Sequence, residues 1–482
     1  MNINSVVDIL GTAFNPRAIA VVGASEDVLS FGYRFMSYLL GYGYSGQIYP
    51  VNPKKKTVFG LEAYPSLSSV PGQVDYVICC LPAVKVLDLL GECPSRGVKV
   101  VHLVTARLAE TGRREARELE VKILQEARRL NIRLIGPNCM GIYNPRQGLA
   151  FNDELPKEAG SVGAIIQSGG LSGLLVRYGE LQGLRFSKAV SYGNALDLDE
   201  SDFLQYLTQD TDTSIIAAYI EGVKDGRKLL NALAEAARVK PVIALKGGRG
   251  SAGIKAASSH TAAIAGTDIV WESVFRQTGT IQVQDLNELV NLLVVFSFLS
   301  PLKGKKVGII GGGGGKGVIS TDACENAGLI VPPLPSEIRD NLRENAPEIW
   351  DWLGNPVDLS IMEGASISRK EILRMMVTSP YFDVIIASIT EDAPLAEDSF
   401  SDFIREETED IIMISRERLK PIVAVVSGAK VHSDQFQKWH WKFIAEQQAR
   451  LVDAQVPTYS TMTEAAKALR QFTDYCCRAV EA

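Results

Sequence analysis

The sequence predicts an α/β protein built from successive parallel-sheet regions. Three observations carry this: short continuous apolar runs recur along the chain, most stop at a glycine or small polar residue, and longer helical patterns separate them. Apolar runs without alternation mark strands buried on both faces, as parallel strands are. A chain of 482 residues, 46% of them hydrophobic and 42 of them glycine, is long enough for roughly three domains of about 150 residues each.

In the first region, residues 1–144, the strands are Ala18–Ser25, Gly46–Asn52, Tyr76–Leu81, Val98–Thr105 and Arg133–Pro137. The helical stretch near Arg113–Leu130 carries Arg, Glu and Lys, as a solvated face does. A second region, 145–297, restarts with Gly163–Ser168, Ser187–Ser191, Ser214–Ile220 and Pro241–Lys246, and Leu286–Leu299 reads as a buried helix. After a linker at 298–306, the third region, 307–482, opens with Val307–Gly311 and continues through Val384–Ser388 and Pro421–Val426. The second and third regions both open with a strand, a glycine-rich turn and a helix.

The net charge of −6 argues against nucleic acid or an anionic membrane as the main partner. No apolar stretch is long enough to span a bilayer. No basic residue precedes Arg17, so neither a signal nor a transit peptide is expected, and the seven cysteines lack CxxC or Cys/His metal spacing. A cytoplasmic protein without a metal site is the expectation.

The segment Gly247–Gly266 is small, Gly/Ala/Ser-rich and nearly free of acids, and it holds His260, one of only four histidines. Small side chains let an anionic ligand approach the backbone, and imidazole serves as nucleophile as well as acid or base. Taken alone, the histidine reads equally as a residue packed at a helix start. Gln167-Ser-Gly-Gly170 ends a buried strand and starts a helix, so the free amides around Ser168, Gly169 and Gly170 form a candidate phosphate cradle. Glu221, at the end of another strand, is the candidate carboxylate to orient the second nitrogen of His260. In the first region, Gly23, Ala24, Ser25 and Gly32 form a loose dinucleotide fingerprint. Lysines at 54–56 replace the acid that a NAD site favours, which points to NADP or coenzyme A. Lys316 is followed by Gly317 and Val318, so Gly311–Gly317 is no Walker A loop.

Eight motifs, in this order and spacing, resemble the α subunits of NDP-forming acyl-CoA synthetases, relatives of succinyl-CoA synthetase: Ile19–Ser25, Ile135–Gly141, Gln167–Gly169, Ser191–Asn194, Tyr219–Glu221, Lys246–Arg249, Ser259–Thr261 and Asn355–Asp358. The resemblance implies a Rossmann-like CoA-binding domain followed by two flavodoxin-like ligase domains. It implies that His260 is the phosphohistidine and that Glu221 holds its imidazole. Gly23, Ala24, Ser25 and Gly32 would cup the CoA diphosphate, Lys54 and Lys55 would face its phosphates, and Pro82, Thr105 and Asn138 would line the pantetheine path. Two departures stand out: Arg107 replaces a glycine in Thr105–Glu110, and Ala262 replaces a common glycine after the histidine.

No ATP-grasp domain is visible. The resemblance therefore implies a separate ATP-grasp β subunit carrying ATP/ADP and Mg2+, in an α2β2 assembly, with a small carboxylic acid as substrate. Two other readings remain at this point: a CoA or acyl-CoA sensor without turnover, and an NADP-dependent oxidoreductase. The second of these leaves the histidine segment and the glycine turn at Ser168 unexplained.

Overall fold

The computed structural model describes residues 5–250, 252–253, 255, 267–362, 364–390, 395–428 and 439–481. Its first sheet contains β1 (Ala18–Val22), β2 (Gln47–Val51), β5 (Tyr76–Cys79), β6 (Val100–Leu103) and β7 (Arg133–Ile135). A two-stranded hairpin, β3 (Thr57–Val58) with β4 (Leu61–Glu62), stands apart from it. The five strands are parallel, in the order β2-β1-β5-β6-β7. β1, β5 and β6 are buried along their whole length, as their largely apolar sequences predict, with His102 of β6 buried among them. Each fully buried Val or Ile contributes about 1.5–3 kcal/mol. Val22 pairs with both Val51 and Cys79, so the loops after these strands leave from one level.

The helix Phe31–Tyr42 returns from β1; Ser30 caps its start by accepting from the Tyr33 amide, and Gly43 ends it at a φ of 78°. On the helix Arg114–Arg129 only Ile123 and Ala127 are buried, in line with the solvated face its charges predict.

The second sheet runs β13-β12-β11-β9-β10-β8, where β8 is Gly141–Tyr143, β9 Val162–Ile166, β10 Phe186–Ser191, β11 Ile215–Ile220, β12 Val242–Lys246 and β13 Ile281–Val283. Five of these are parallel. β8 follows the first sheet's last loop yet pairs antiparallel with β10, Gly141 opposite Ser191. No apolar run announces so short a strand. The two sheets are further tied where Phe14, on the helix Val6–Phe14, stacks on Tyr206 of the helix Glu200–Gln209 at 4.6 Å.

The third sheet is β14-β15-β16-β17, with β14 at Val307–Ile310, β15 at Val384–Ser388, β16 at Ile422–Val425 and β17 at Thr458–Tyr459. It repeats the opening of the second sheet, strand, glycine turn and helix Gly314–Asn326. Beyond β14 the described residues add single bridges, Lys306 to Ile330 and Ile310 to Val357. Its own core gathers around Ile338, Leu342, Ile372, Met376, Ile385 and Ile404. The chain divides into two compact units, Met1–Leu289 and Val290–Ala482. The division falls inside the helix Leu286–Phe298, whose Leu289, Leu292, Leu293 and Val295 are buried. No helix among the described residues is long and apolar enough to cross a membrane.

Candidate functional site

The carboxyl edges of the first two sheets meet through two loops. The Gly136–Pro137 peptide is cis, and Asn138 follows at a φ of 58°. Against this turn lies the segment after β10: Asn194 N donates to Pro137 O at 3.0 Å and Leu196 N to Gly136 O at 2.8 Å. Gly193 allows the approach, since a Cβ there would lie 2.3 Å from Pro137 O. The Asn194 side chain donates to Glu110 Oε2 at 3.1 Å, while Glu110 Oε1 accepts the amides of Arg107 at 2.5 Å and Leu108 at 3.1 Å. One carboxylate thus fixes the loop after β6 to the loop after β10.

These loops border a cavity of about 300 Å³ whose walls include Asn138, Ser168, Gly169, Gly170, Asn194 and Glu221. Its floor is the start of the helix Gly169–Leu181, capped by Ser168, whose hydroxyl accepts from the Leu171 amide at 3.4 Å. The first amides of a helix lack partners within it, and the helix dipole makes that end attractive to anions. At Gly169 a Cβ would touch Met140 at 3.3 Å, but at Gly170 it would meet nothing within 4 Å among the described residues. Packing against the described residues does not ask for glycine at 170, which leaves the helix start accessible on that side.

Glu221 is half-buried and held at three points. Gln167 Oε1 accepts the amides of Glu221 at 2.7 Å and Gly222 at 3.1 Å. The Tyr219 hydroxyl donates to Glu221 Oε1 at 3.1 Å, and burial first, then the Glu221 charge, raises the Tyr219 pKa. The Lys246 ammonium donates to the Glu221 carbonyl at 2.8 Å. Pairing of Ile166 with Tyr219 and of Ile220 with Lys246 explains why these side chains converge: they leave the ends of β9, β11 and β12 at one level.

His260, with Ser259, Thr261 and Ala262, lies outside the described residues. The stretch that carries it is anchored at both described ends. Lys246 donates to the carbonyl of Gly247 as well, and Arg249 makes a bidentate pair with Asp268 at 2.8 Å.

The residues expected to face CoA gather at the first strand's end. Gly23 has a φ of 89°, and a Cβ on Gly32 would stand 2.0 Å from Gly23 O, so the helix start presses directly on the turn. The amides of Gly23 and Ala24 both donate to Val51 O, at 3.0 and 3.2 Å. What this turn offers a ligand is close approach rather than those two amides. The Ser25 hydroxyl accepts from the Asp27 amide. Asn52 donates to Ala24 O and accepts the amides of Lys54 and Lys55, which sets the exposed lysines beside the turn. Lys55 reaches Glu26 at 3.7 Å. The Thr105 hydroxyl is spent on Leu81 O at 2.8 Å. Pro82 is exposed next to it, and exposed Asn138 lines the cavity that Ser168 and Glu221 also border. The turn is thus partly buried, with Gly23 and Ser25 half-buried and Ala24 and Gly32 buried, and exposed lysines stand beside it.

Sequence reasoning passed over the side chains of Gln167, Tyr219, Lys246 and Asp268. A signal was present for two of them: Gln167 and Lys246 each end a strand that is otherwise wholly apolar.

Residues 17–145 match the family of CoA binding domains, 159–296 the succinyl-CoA ligase like flavodoxin domain and 307–465 the ligase-CoA domain. The α subunit of the ADP-forming acetate–CoA ligase II of Pyrococcus furiosus is 36% identical over 374 residues, 78% of this chain and 81% of that one. This chain belongs to the α-subunit family of ADP-forming acyl-CoA ligases. Some members of the family are longer: the ADP-forming acetate–CoA ligase of Methanocaldococcus jannaschii is 37% identical, but the match spans 48% of its length. Among solved structures, an acetyl-coenzyme A synthetase of Ca. Korarchaeum cryptofilum, determined with phosphate and ADP, superposes with a TM-score of 0.82 at 28% identity, covering 98% of this chain and 97% of that one. Family membership favours an enzyme component over the sensor and oxidoreductase readings.

Proposed function

We propose that this chain is the phosphoryl-accepting and CoA-binding component of an ADP-forming acyl-CoA synthetase. The observation that carries the reading is Glu221 lining one cavity with a helix start whose first two amides have no partner among the described residues, twenty-six residues before a histidine-bearing stretch fixed at both described ends. Phosphohistidine chemistry needs a nucleophilic imidazole, a carboxylate to orient it and donors for the phosphoryl oxygens. His260, Glu221 and the amides at Gly169 and Gly170 fill these roles.

The sequence of steps follows. His260 attacks the γ-phosphorus of a nucleoside triphosphate, and the diphosphate leaves. A carboxylate oxygen of the acid then attacks the phosphohistidine, which frees the imidazole and forms an acyl phosphate. The CoA thiolate attacks its carbonyl carbon, phosphate departs and the acyl-CoA is released. The turn at Gly23, Ala24, Ser25 and Gly32, with Lys54 and Lys55, holds the CoA phosphates; Pro82, Thr105 and Asn138 border the pantetheine. The acyl phosphate needs water excluded until the thiol arrives.

Relatives named as α subunits support a separate partner, as does the greater length of single-chain relatives. We assign nucleotide and Mg2+ binding to an ATP-grasp β subunit in an α2β2 assembly. The acid is a small carboxylate.

The test is to mix the purified chain with a candidate ATP-grasp partner and ATP labelled at the γ-phosphate, comparing wild type with His260→Ala. The expected label is acid-labile and base-stable, requires the partner, is absent from the variant and is discharged by a carboxylic acid plus CoA. Unlabelled wild type, with CoA binding intact and a partner proven active on another α chain, would overturn the reading.

A further inference from the structure

The end of β12 is chemically odd. Val242-Ile-Ala-Leu245 is wholly apolar, and the next residue, Lys246, is only 2% exposed. A buried ammonium is costly unless its charge is met. Among the described residues its hydrogen bonds run to carbonyl oxygens rather than to a carboxylate: Glu221 O at 2.8 Å, Gly247 O, and Gly248 O at 3.5 Å. The Trp271 ring covers it, with its centroid 5.2 Å from Nζ.

The position explains the arrangement. The ladder between β11 and β12 ends where Gly247 N donates to Ile220 O at 2.9 Å. Past that rung, the carbonyls of Glu221 and Gly247 have no partner from the opposite strand, and Lys246 bridges them. Gly247 also leaves room for the Tyr219 hydroxyl, since a Cβ there would lie 2.4 Å from it. The backbone of Glu221 is thus gripped at its N–H by Gln167 and at its C=O by Lys246, while Tyr219 holds the carboxylate.

We propose that Lys246 is a positioning residue for phosphoryl acceptance: its ammonium locks the Glu221 end of β11 to the first residues of the stretch that runs on to His260. The assignment rests on the phosphohistidine reading above. An ammonium has three donors and a full charge to draw several carbonyl dipoles together, whereas a neutral amine has two donors and no charge. The lock therefore needs the protonated form. Burial lowers the Lys246 pKa to about 8; Glu221 and Asp268 oppose that shift and Arg249 adds to it.

Activity and stability then respond to pH in opposite senses. The unfolded chain keeps this proton up to the ordinary lysine pKa of about 10.4, so between about pH 8 and that value unfolding takes up a proton and this group's contribution to folding becomes more favourable as pH rises. A loss of phosphorylation above pH 8 would not reflect the unfolding of this site.

The experiment follows the initial rate of His260 labelling from γ-labelled ATP and the ATP-grasp partner, between pH 6.5 and 9.5, for wild type and Lys246→Met. Dividing the variant's rate by that of wild type at each pH removes the partner's own pH dependence. CoA affinity, which depends on the first sheet, reports folding. We expect the variant to label about thirtyfold more slowly at pH 7 with CoA affinity unchanged, and the ratio to climb toward one above pH 8 as wild type loses its lock. A variant within twofold of wild type at pH 7, or a constant ratio across the range, would overturn the assignment. Should Lys246→Met not fold, Lys246→Arg, whose charge does not titrate in this range, supplies the reference: a ratio of wild type to Lys246→Arg that is flat from pH 7 to 9 sinks the proposal, and one that falls around pH 8 supports it. Wild type that takes no label at any pH overturns the phosphohistidine reading itself, an outcome distinct from labelled wild type with a flat profile.

Discussion

Arg249 and Asp268 close a bidentate pair across the stretch that contains His260: Nε and Nη2 each donate to one carboxylate oxygen at 2.8 Å, nineteen positions apart in sequence. The remaining nitrogen, Nη1, donates to the Gln284 side chain, next to β13. The guanidinium therefore ties the exit of β12 to the helix Asp268–Thr278 and to the edge of the sheet. Planar two-point pairing of this kind fixes orientation as well as distance.

Asp268→Asn should separate this tether from overall folding. Both side chains are partly solvated, so the cost in stability is expected to stay below about 1 kcal/mol. Arg249 hydrogen bonds hold the Asp268 carboxyl below its ordinary pKa, so its small contribution is present above the unfolded value and is lost as pH falls through the folded one. Labelling of His260 should nonetheless slow several-fold, with CoA affinity unchanged. Unchanged labelling kinetics would show that the ends of this stretch need no tether.

Gly170→Ala sets the helix against its ligand. None of the described residues lies within 4 Å of a Cβ at this position, and alanine is favoured over glycine in a helix by up to about 1 kcal/mol. The variant should be as stable as wild type or slightly more so in thermal unfolding. A methyl at the mouth of the cradle crowds the space where a phosphoryl oxygen would meet the amides, so labelling of His260 is expected to fall at least tenfold. A variant that is both more stable and fully active would remove Gly169 and Gly170 from the phosphate site.

The placement of Ser168 and Glu221 was legible because each ends an apolar run, and in a parallel sheet the ends of neighbouring strands share one edge. Local chemistry was enough: Gln167-Ser-Gly-Gly170 states a strand end and a helix start within four residues. The grip on Glu221 was not legible, since Lys246 reaches a carbonyl 25 positions earlier and Gln167 reaches an amide 54 positions later. Asn194 meets Glu110 across 84 positions. Such pairs depend on strand order and register, which periodicity does not encode. β8 escaped for a different reason: three residues between a cis-proline turn and Pro145 leave no pattern to read.

Arg107 shows how a departure noted in the sequence acquires a physical meaning. Its φ is 72°, in the left-handed region where a side chain costs on the order of 1 kcal/mol and glycine costs little. The glycine expected there from the family pattern is the residue the backbone prefers. The strained turn persists because the amides of Arg107 and Leu108 are both captured by Glu110, which is itself held by Asn194. Arg107→Gly should relieve the strain, offset in part by the greater freedom of glycine in the unfolded chain. The net expectation is a gain of up to about 1 kcal/mol, with Arg107→Asn between the two because asparagine tolerates this conformation. Glu110→Gln should instead loosen the turn, since a neutral amide accepts the two N–H groups less strongly than a carboxylate. Thermal unfolding of the three variants, ranked Gly above Asn above wild type with Glu110→Gln lowest, checks the argument. A glycine variant less stable than wild type would mean that the Arg107 side chain contributes more to the fold than its backbone takes away.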